Sequence, residues 1–321
     1  MGVKELLVKG LCSTPKYIDM SCRYDKQGSI YDDQCQDIEE FYHYKSEEAI
    51  MRCNAKDAAL QLKTPLRLFD LGCGSTTKSQ YLINELLANK VNVEYTPIDV
   101  SKDFLQHACE TLKNIYGNRL KVDPIAGDFM NVIPQIGKYR GRKVLLWLSG
   151  LQCFPLDTQH QLLSKISESM EGDDSLLMTA DITQDKAVIE KAYLDFDDSK
   201  PFAKLYTNGV HVANRELGGN IDLSQFILEG RHVEDKDVSR ASYNQVWLRS
   251  LCNQSYYLEE VGKNVTFEEG EKLHLYSGNG ISHKYTIPQL ENALASVKLR
   301  VLKKWDNGNS VLLLSTRENE L

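Results

Sequence analysis

The amino-acid sequence predicts an α/β fold: a doubly wound, mostly parallel sheet, with a second lobe of α+β character inserted into it. Three observations carry this. Short apolar strands alternate with amphipathic helical stretches from Leu66 to Asp181, the pattern of βαβ units. The run Lys143–Ser149 (KVLLWLS) is continuously apolar, which suits a strand covered on both faces. After Asp181 the pattern changes to clustered charges, a Gly218-Gly219 pair and alternating segments such as Gln245–Leu251, which read as a separate antiparallel sheet.

Residues 1–45 are polar, Tyr-rich and irregular. Residues 46–62 read as an amphipathic helix opened by Ser46, with acidic residues in its first turn. Leu66–Leu71 is a strand and Lys78–Ala88 a helix; Val93–Asp99 is a strand and Ser101–Tyr116 a helix opened by Ser101. Leu120–Gly127 is a weak strand, Lys143–Ser149 a strong one, Thr158–Met170 a helix and Ser175–Asp181 a strand. The doubly wound pattern resumes with a helix at Ile287–Ser296 and strands at Lys298–Trp305 and Ser310–Ser315. Asp306-Asn307-Gly308 between apolar runs signals a hairpin, hence an antiparallel tail. The expected domains are a ligand-binding sheet domain over 46–182 plus 286–321, and a second lobe over 1–45 plus 183–285.

The 321 residues (36.5 kDa) suit one large or two modest domains. The net charge is −7 and no Lys/Arg run stands out, so nucleic acid is not an expected partner. No apolar run reaches the roughly 18 residues of a membrane span, and no membrane partner is expected. No secretory signal opens the chain, and Leu6 breaks the myristoylation pattern begun by Gly2. The eight cysteines are scattered, without CxxC or zinc spacing, so free thiols in a reducing cytosol and no metal site are expected. Asn253-Gln-Ser255 and Asn264-Val-Thr266 are read as chance sequons. The expected state is a cytoplasmic monomer.

The sharpest motif is Phe69-Asp70-Leu71-Gly72-Cys73-Gly74-Ser75, between a strand and a helix. Gly72 and Gly74 let a ligand approach the backbone. There is no third Gly at dinucleotide spacing and no GK[ST], so neither a nicotinamide fingerprint nor a P-loop is present. An acid leading GxG at the end of a first strand is instead the methyltransferase form. Asp99 ends the second strand, where it can accept both ribose hydroxyls. Asp128 follows the third, where it can accept from an adenine amino group while Phe129 offers a ring face. Three acids in order at successive strand ends point to S-adenosylmethionine, and so to a Rossmann-like class I S-adenosylmethionine-dependent methyltransferase sheet, with S-adenosylhomocysteine as product.

Several ordered elements resemble the histidine-specific N-methyltransferases of ergothioneine biosynthesis, a family that also contains fungal tryptophan-type N-methyltransferases. They are Gly10-Leu11…Thr14-Pro15-Lys16, Tyr24-Asp25…Gly28-Ser29, Glu40-Phe41-Tyr42 with Lys45, Asp70-Leu71-Gly72…Gly74…Lys78, Pro97-Ile98-Asp99-Val100, Gly127-Asp128-Phe129, Gly172-Asp173, Ala192-Tyr193, Asn214-Arg215-Glu216-Leu217, Trp247-Leu248-Arg249 and Ser282…Lys284-Tyr285. The resemblance covers nearly the whole chain. It implies a second α+β lobe that binds substrate, and cofactor contacts from Tyr24, Gly72, Lys78, Asp99, Asp128 and Phe129, beside Asp70 and Gly74.

The resemblance also implies where the acceptor sits, and there the chain departs from the pattern. The family's carboxylate clamp is a Tyr of a Glu-Tyr-Tyr segment, an Asn after the fourth strand and a Tyr of the insertion. Here only Tyr193 is kept; the first position reads Phe41, with Tyr42 and Tyr44 close by, and the Asn position falls near Phe154. The family's imidazole pair is a Glu and a Ser two residues later; Ser282 remains, but the Glu position reads Gly280, and a pocket Met aligns with Val246. Each charge-assisted hydrogen bond to a carboxylate contributes roughly 1.5–3 kcal/mol. Replacing two donors by Phe disfavours a free amino-acid carboxylate, and Gly280 with Val246 is expected to make room.

A flat aromatic amine or amino acid of indole type is therefore expected over histidine, with Tyr31, Phe41, Tyr42, Phe154, Tyr193, Val246, Gly280 and Ser282 at the substrate. Histidine with a rearranged clamp is the alternative, and a silent cofactor-binding relative the third reading. Tyr193 and Ser282, with Tyr24, are the candidates to orient the amine, and Phe41, Phe154 and Trp147 to exclude water. No dedicated general base stands out; His43, His211 and His283 lie nearest the motifs.

Overall fold

The computed structural model describes residues 2–89, 92–197, 200–235 and 237–318. In chain order its elements are α1 (Val3–Leu11), α2 (Lys26–Cys35), α3 (Tyr42–Gln61), β1 (Leu66–Leu71), α4 (Thr77–Ala88), β2 (Val93–Asp99), α5 (Lys102–Tyr116), β3 (Lys121–Val122), β4 (Ile125–Ala126), α6 (Phe129–Ile136), β5 (Lys143–Trp147), α7 (Leu156–Ser169) and β6 (Ser175–Asp181). Then follow α8 (Lys186–Tyr193), α9 (Pro201–Leu217), β7 (Phe226–Val233), β8 (Ser242–Ser250), β9 (Gln254–Leu258), β10 (Lys263–Phe267), β11 (Lys272–His274), β12 (Ile281–Lys284), α10 (Ile287–Ala295), β13 (Leu299–Asp306) and β14 (Ser310–Arg317). Two compact units result: residues 42–184, 237–241 and 284–321, and residues 1–41, 185–236 and 242–283.

The first unit is the doubly wound one. Its strands run β13-β14-β6-β5-β1-β2-β3, with β4 also paired to β2. β1, β2, β5 and β6 are mutually parallel, while β14 runs antiparallel to both β6 and β13. Alternate residues feed two cores. Phe69, Leu145, Trp147, Leu176 and Leu313 pack with α6, α7 and α10; Leu68, Tyr95, Leu146, Leu177 and Leu312 pack with α3, α4 and α5. Every residue of β5 is buried, so its side chains meet helices on both faces. The sheet order reverses at β1, between β2 and β5, which makes the carboxyl ends of these strands the switch point where open α/β sheets bind ligands.

The second unit holds α1, α2, α8 and α9, a four-stranded antiparallel sheet in which β8 pairs with β7, β11 and β12, and the β9–β10 hairpin. Two motif glycines mark close approaches here. A Cβ on Gly10 would stand 2.2 Å from the Tyr17 carbonyl oxygen, and one on Gly28 would stand 1.7 Å from that of Arg23. Asp25 caps α2 through Gly28 N–H and also accepts from Asn208 Nδ2 (2.8 Å) and Arg215 Nη1 (2.8 Å).

Several expectations need correction. Residues 1–45 are not irregular: α1 buries Leu7, Gly10 and Leu11 along one stripe, and α2 follows its Asp25 cap. The helix expected from Ser46 begins at Tyr42. Leu120–Gly127 splits into the two short strands β3 and β4. Helix α6 was hidden by Pro134 within it. Asn214-Arg215-Glu216 lies in the last turn of α9.

Candidate active site

At the tip of β1 the chain turns through Gly72 (φ 72°) and Gly74 (φ 51°), then Thr76 (φ 61°), into α4. Gly72 and Cys73 N–H both donate to the Ile98 carbonyl on β2 (2.8 and 3.1 Å), which ties the loop to the neighbouring strand. These backbone angles favour glycine. A Cβ on Gly74 would meet nothing within 4 Å, so that peptide faces open space; one on Gly72 would meet the Phe129 ring at 3.1 Å.

Asp99 closes β2. Its Oδ2 accepts from Gly74 N–H (3.3 Å) and its Oδ1 from Ser101 N–H (3.0 Å), and each oxygen has a second lone pair. Burial raises its carboxyl pKa against these backbone donors. Asp128 is exposed and caps α6, accepting from Asn131 N–H (3.2 Å) and the Asn131 amide. Phe129 has the rings of Trp147 and Phe154 each 5.9 Å away, edge-on.

Two residues expected at the cofactor are committed elsewhere. Asp70 is buried, and its Oδ2 accepts from the Ser79 and Tyr95 hydroxyls, so it braces α4 and β2 beneath the loop. Burial, opposed by those two donors, pushes its carboxyl up to about 6. Lys78 pairs with the buried Glu47 and lies over the Tyr44 ring (4.8 Å).

Beyond Glu47 runs a buried polar cluster at the tips of β5 and β6. The Thr179 hydroxyl donates to Glu47 and accepts from Ser149 N–H (2.9 Å). Asp181 Oδ2 meets Lys284 Nζ (3.0 Å) and the Tyr42 hydroxyl (2.8 Å), with His43 Nδ1 at 3.6 Å. Burial would raise Asp181, but Lys284, His43, Thr183 N–H and Tyr42 outweigh it and hold the carboxyl below its usual range. The Tyr42 hydroxyl, expected at the substrate, is thus donated to a carboxylate of the protein itself.

In the second unit, Phe41, Tyr193 and Phe202 form an aromatic cluster, with ring centroids at 5.3 Å (Phe41–Tyr193), 4.8 Å (Phe41–Phe202) and 5.5 Å (Tyr193–Phe202). Tyr206 stacks on Phe202 and lies under Arg23, whose guanidinium also covers Tyr24 (5.2 Å). Tyr31 is half-buried on α2 and Val246 is buried in β8. Ser282 has φ 50° inside β12, a left-handed angle in a strand residue that is not glycine; such strain concentrates at functional sites. Gly280 does not open space. A Cβ there would stand 2.4 Å from the Tyr243 ring and 2.6 Å from the Asn244 carbonyl, so Tyr243 fills the room expected for a substrate.

Tyr42, Asp70, Gly72, Gly74, Lys78, Asp99, Asp128, Phe129 and Phe154 share the first unit; Tyr24, Tyr31, Phe41, Tyr193, Val246, Gly280 and Ser282 share the second. Sequence reasoning missed Phe202, Tyr243, Glu47 and Gln152. Glu47 gave one signal: it is an acid on the inward stripe of α3, buried beside Ile50 and Met51, where a charge needs a partner.

The model of the family of S-adenosylmethionine-dependent, histidine-specific methyltransferases matches residues 3–317. The chain belongs to this family and is an S-adenosylmethionine-dependent N-methyltransferase. It is 25% identical to the histidine N-alpha-methyltransferase of Mycobacterium tuberculosis, over 95% of this chain and 91% of that protein. It is 24% identical to N-methyltransferase dtpB of Aspergillus flavus, over 93% and 84%. It is also 24% identical to 4-dimethylallyltryptophan N-methyltransferase easF of Claviceps purpurea, over 63% and 61%. The strand tips fit the cofactor chemically: the uncovered Gly74 peptide suits close approach, and the spare lone pairs of Asp99 suit vicinal hydroxyls. No helix among the described residues is long and apolar enough to cross a membrane.

Proposed function

We propose that the methyl acceptor is the amine of a flat aromatic amine or amino acid, with an indole favoured over an imidazole. One observation carries this reading: Phe41, at the family's first carboxylate-binding position, packs its ring on Tyr193 and Phe202. A hydrocarbon edge there offers no donor to a carboxylate, and two lost charge-assisted hydrogen bonds weaken a free amino acid by roughly 1.5–3 kcal/mol each. The absence of an acid at Gly280 removes the acceptor for an imidazole N–H. With Tyr243 in that space, the preference for an indole rests on polarity and ring stacking, not on extra volume.

In this reading Gly72, Gly74, Asp99, Asp128 and Phe129 hold the cofactor, and Tyr24 is proposed with them. Asp99 takes the ribose hydroxyls, and Phe129 presents its face to the adenine while Asp128 accepts from the amino group. When bound, S-adenosylmethionine supplies a methyl group on a positively charged sulfur. Tyr193 and Ser282 orient the amine through its N–H groups. Phe41, Phe154 and Trp147 exclude water and favour the neutral amine, which alone carries a lone pair. The eight free cysteines support a reducing compartment such as the cytosol.

Histidine is the second reading, favoured by the Mycobacterium tuberculosis relative's name and by the retained Ser282. Isothermal titration of histidine, tryptophan and tryptamine in the presence of S-adenosylhomocysteine separates the two. Tryptophan or tryptamine is expected to bind more tightly; tighter histidine binding overturns the indole reading. Turnover is expected to rise with pH as the amine deprotonates, whereas a flat profile means an oxygen or ring nucleophile.

A further inference from the structure

His43, Gln152 and Asp181 lie in one unit, at the carboxyl ends of β5 and β6, and all three are buried. Their hydrogen bonds leave little freedom. Asp181 N–H donates to Gln152 Oε1 (3.1 Å), which fixes the orientation of the amide. Gln152 Nε2 is therefore the donor toward His43 Nε2, 2.9 Å away. His43 Nε2 must then accept, so the ring proton belongs on Nδ1, which faces Asp181 Oδ2 at 3.6 Å. Ser149 Oγ lies 2.8 Å from the same His43 Nε2, and its one hydroxyl proton is shared between that nitrogen and the Glu47 carboxylate, so the Gln152 amide is what sets the tautomer.

A second proton on this imidazole would set N–H against the Gln152 NH2. The amide cannot turn over to relieve this, because Asp181 N–H would then lose its acceptor. Gln152 sits in the single helical turn Leu151–Cys153, directly before Phe154. The same segment begins at Ser149 (φ 57°) and passes over Trp147, where a Cβ on Gly150 would stand 1.7 Å from the indole nitrogen. The charged groups acting on His43 are Asp181 and Glu47, which favour its protonation, and Lys284 and Lys78, which oppose it. Burial is the largest influence and holds the imidazole below its ordinary range.

We propose that His43 is a positioning residue for methyl transfer: as the neutral Nδ1–H tautomer it fixes Gln152, and through it the 149–154 segment that sets Phe154 against Phe129. This rests on the reading of Phe154 as part of the apolar wall beside the acceptor, but the tautomer itself does not. The test uses the full chain with 15N-labelled histidine and saturating S-adenosylhomocysteine, with His43→Gln to assign the signal. Long-range 1H–15N spectra across a pH series are expected to show His43 as Nδ1–H, with its midpoint below the ordinary imidazole midpoint near 6.5. An Nε2–H tautomer, or half-protonation near that midpoint, overturns the proposal.

The second arm compares His43→Leu with His43→Gln, whose amide oxygen restores an acceptor near the Nε2 position. His43→Leu is expected to shift the Trp147 indole N–H resonance and leave S-adenosylhomocysteine affinity within about twofold. It should raise KM for the best-used of histidine, tryptophan and tryptamine roughly tenfold, as for one lost buried hydrogen bond. His43→Gln is expected to return both readouts most of the way. Equal loss in both variants, or an unmoved indole signal in His43→Leu, overturns the positioning role. If the tautomer and the indole shift are as expected but none of the three amines is methylated, the acceptor reading fails, while the indole shift and its return in His43→Gln still decide whether His43 fixes the 149–154 segment.

Discussion

Around Gly72 and Gly74 the protein works with its backbone: positive φ angles, peptide N–H groups tied to the Ile98 carbonyl, and a carboxylate at the end of the next strand. Around Phe41 it works with side chains: three rings whose centroids lie within 5.5 Å of one another. Backbone geometry at a strand tip tolerates little change, because each glycine angle and each N–H is already committed. A wall of rings can be altered one side chain at a time without disturbing the sheet. With the cofactor at the strand tip and the acceptor at the rings, as proposed above, the contrast would account for a family with one cofactor and several acceptors.

The largest expected effect lies on the backbone side. Asp99→Ala should weaken S-adenosylhomocysteine binding by about a hundredfold, the loss of two hydrogen bonds to a charged acceptor. Phe41→Tyr should leave that affinity unchanged. Titration calorimetry of both variants checks this, and equal losses would erase the distinction between the regions.

Gly280→Glu comes next. The clash with Tyr243 and the Asn244 carbonyl should cost about 1–3 kcal/mol of stability, as overpacking does. Pairing it with Tyr243→Ala should recover part of that loss and shift preference toward imidazole substrates. Thermal unfolding and competition between histidine and tryptamine read the two outcomes; a Gly280→Glu single variant of normal stability would mean that the ring moves aside easily.

Phe41→Tyr should lower KM for free amino acids several-fold, up to roughly tenfold for one restored hydrogen bond, with little change for tryptamine, which lacks the carboxylate. An equal gain for tryptamine would remove Phe41 from the carboxylate site.

The last effect is in the pH profile of stability and touches neither ligand site directly. Asp70 is pushed up to about 6 by burial, so between its unfolded value near 3.9 and about 6 the native state binds more protons, and stability falls as pH rises. Asp70→Asn should remove that slope. Asp181 has the opposite sign: its depressed carboxyl stabilises the fold above the unfolded value and loses that contribution on acidification. Urea unfolding at stepped pH separates the two carboxylates.

The sheet and its tips were legible because both leave periodic or glycine-marked traces. β1, β2 and β6 run over the residues their apolar pattern predicts, and the Asp306–Gly308 turn joins β13 and β14. Helix α9 was not legible, because polar and small residues, Asn208 and Gly209 among them, interrupt its buried face and blur the apolar stripe. Its signals were at the ends, in Pro201 and in Gly218 at φ 61°. The buried cluster was illegible for another reason: His43 and Glu47 lie one turn apart on α3, but their partners Thr179, Asp181 and Lys284 come from distant stretches of chain, and spacing reports only local neighbours.

The pairing of the amino-terminal arm carries a consequence for how the protein is made. Ile18 N–H bonds to the His274 carbonyl, His274 N–H to that of Lys16, and the Lys16 side chain pairs with Glu271, 255 positions onward. The segment after α1 therefore cannot complete this pairing until β11 has been made, while β1 to β6 can assemble in between. Closing so long a loop is slow. A carboxyl-terminal truncation before β11 should strand the amino-terminal arm exposed to protease, however well the central strands have formed.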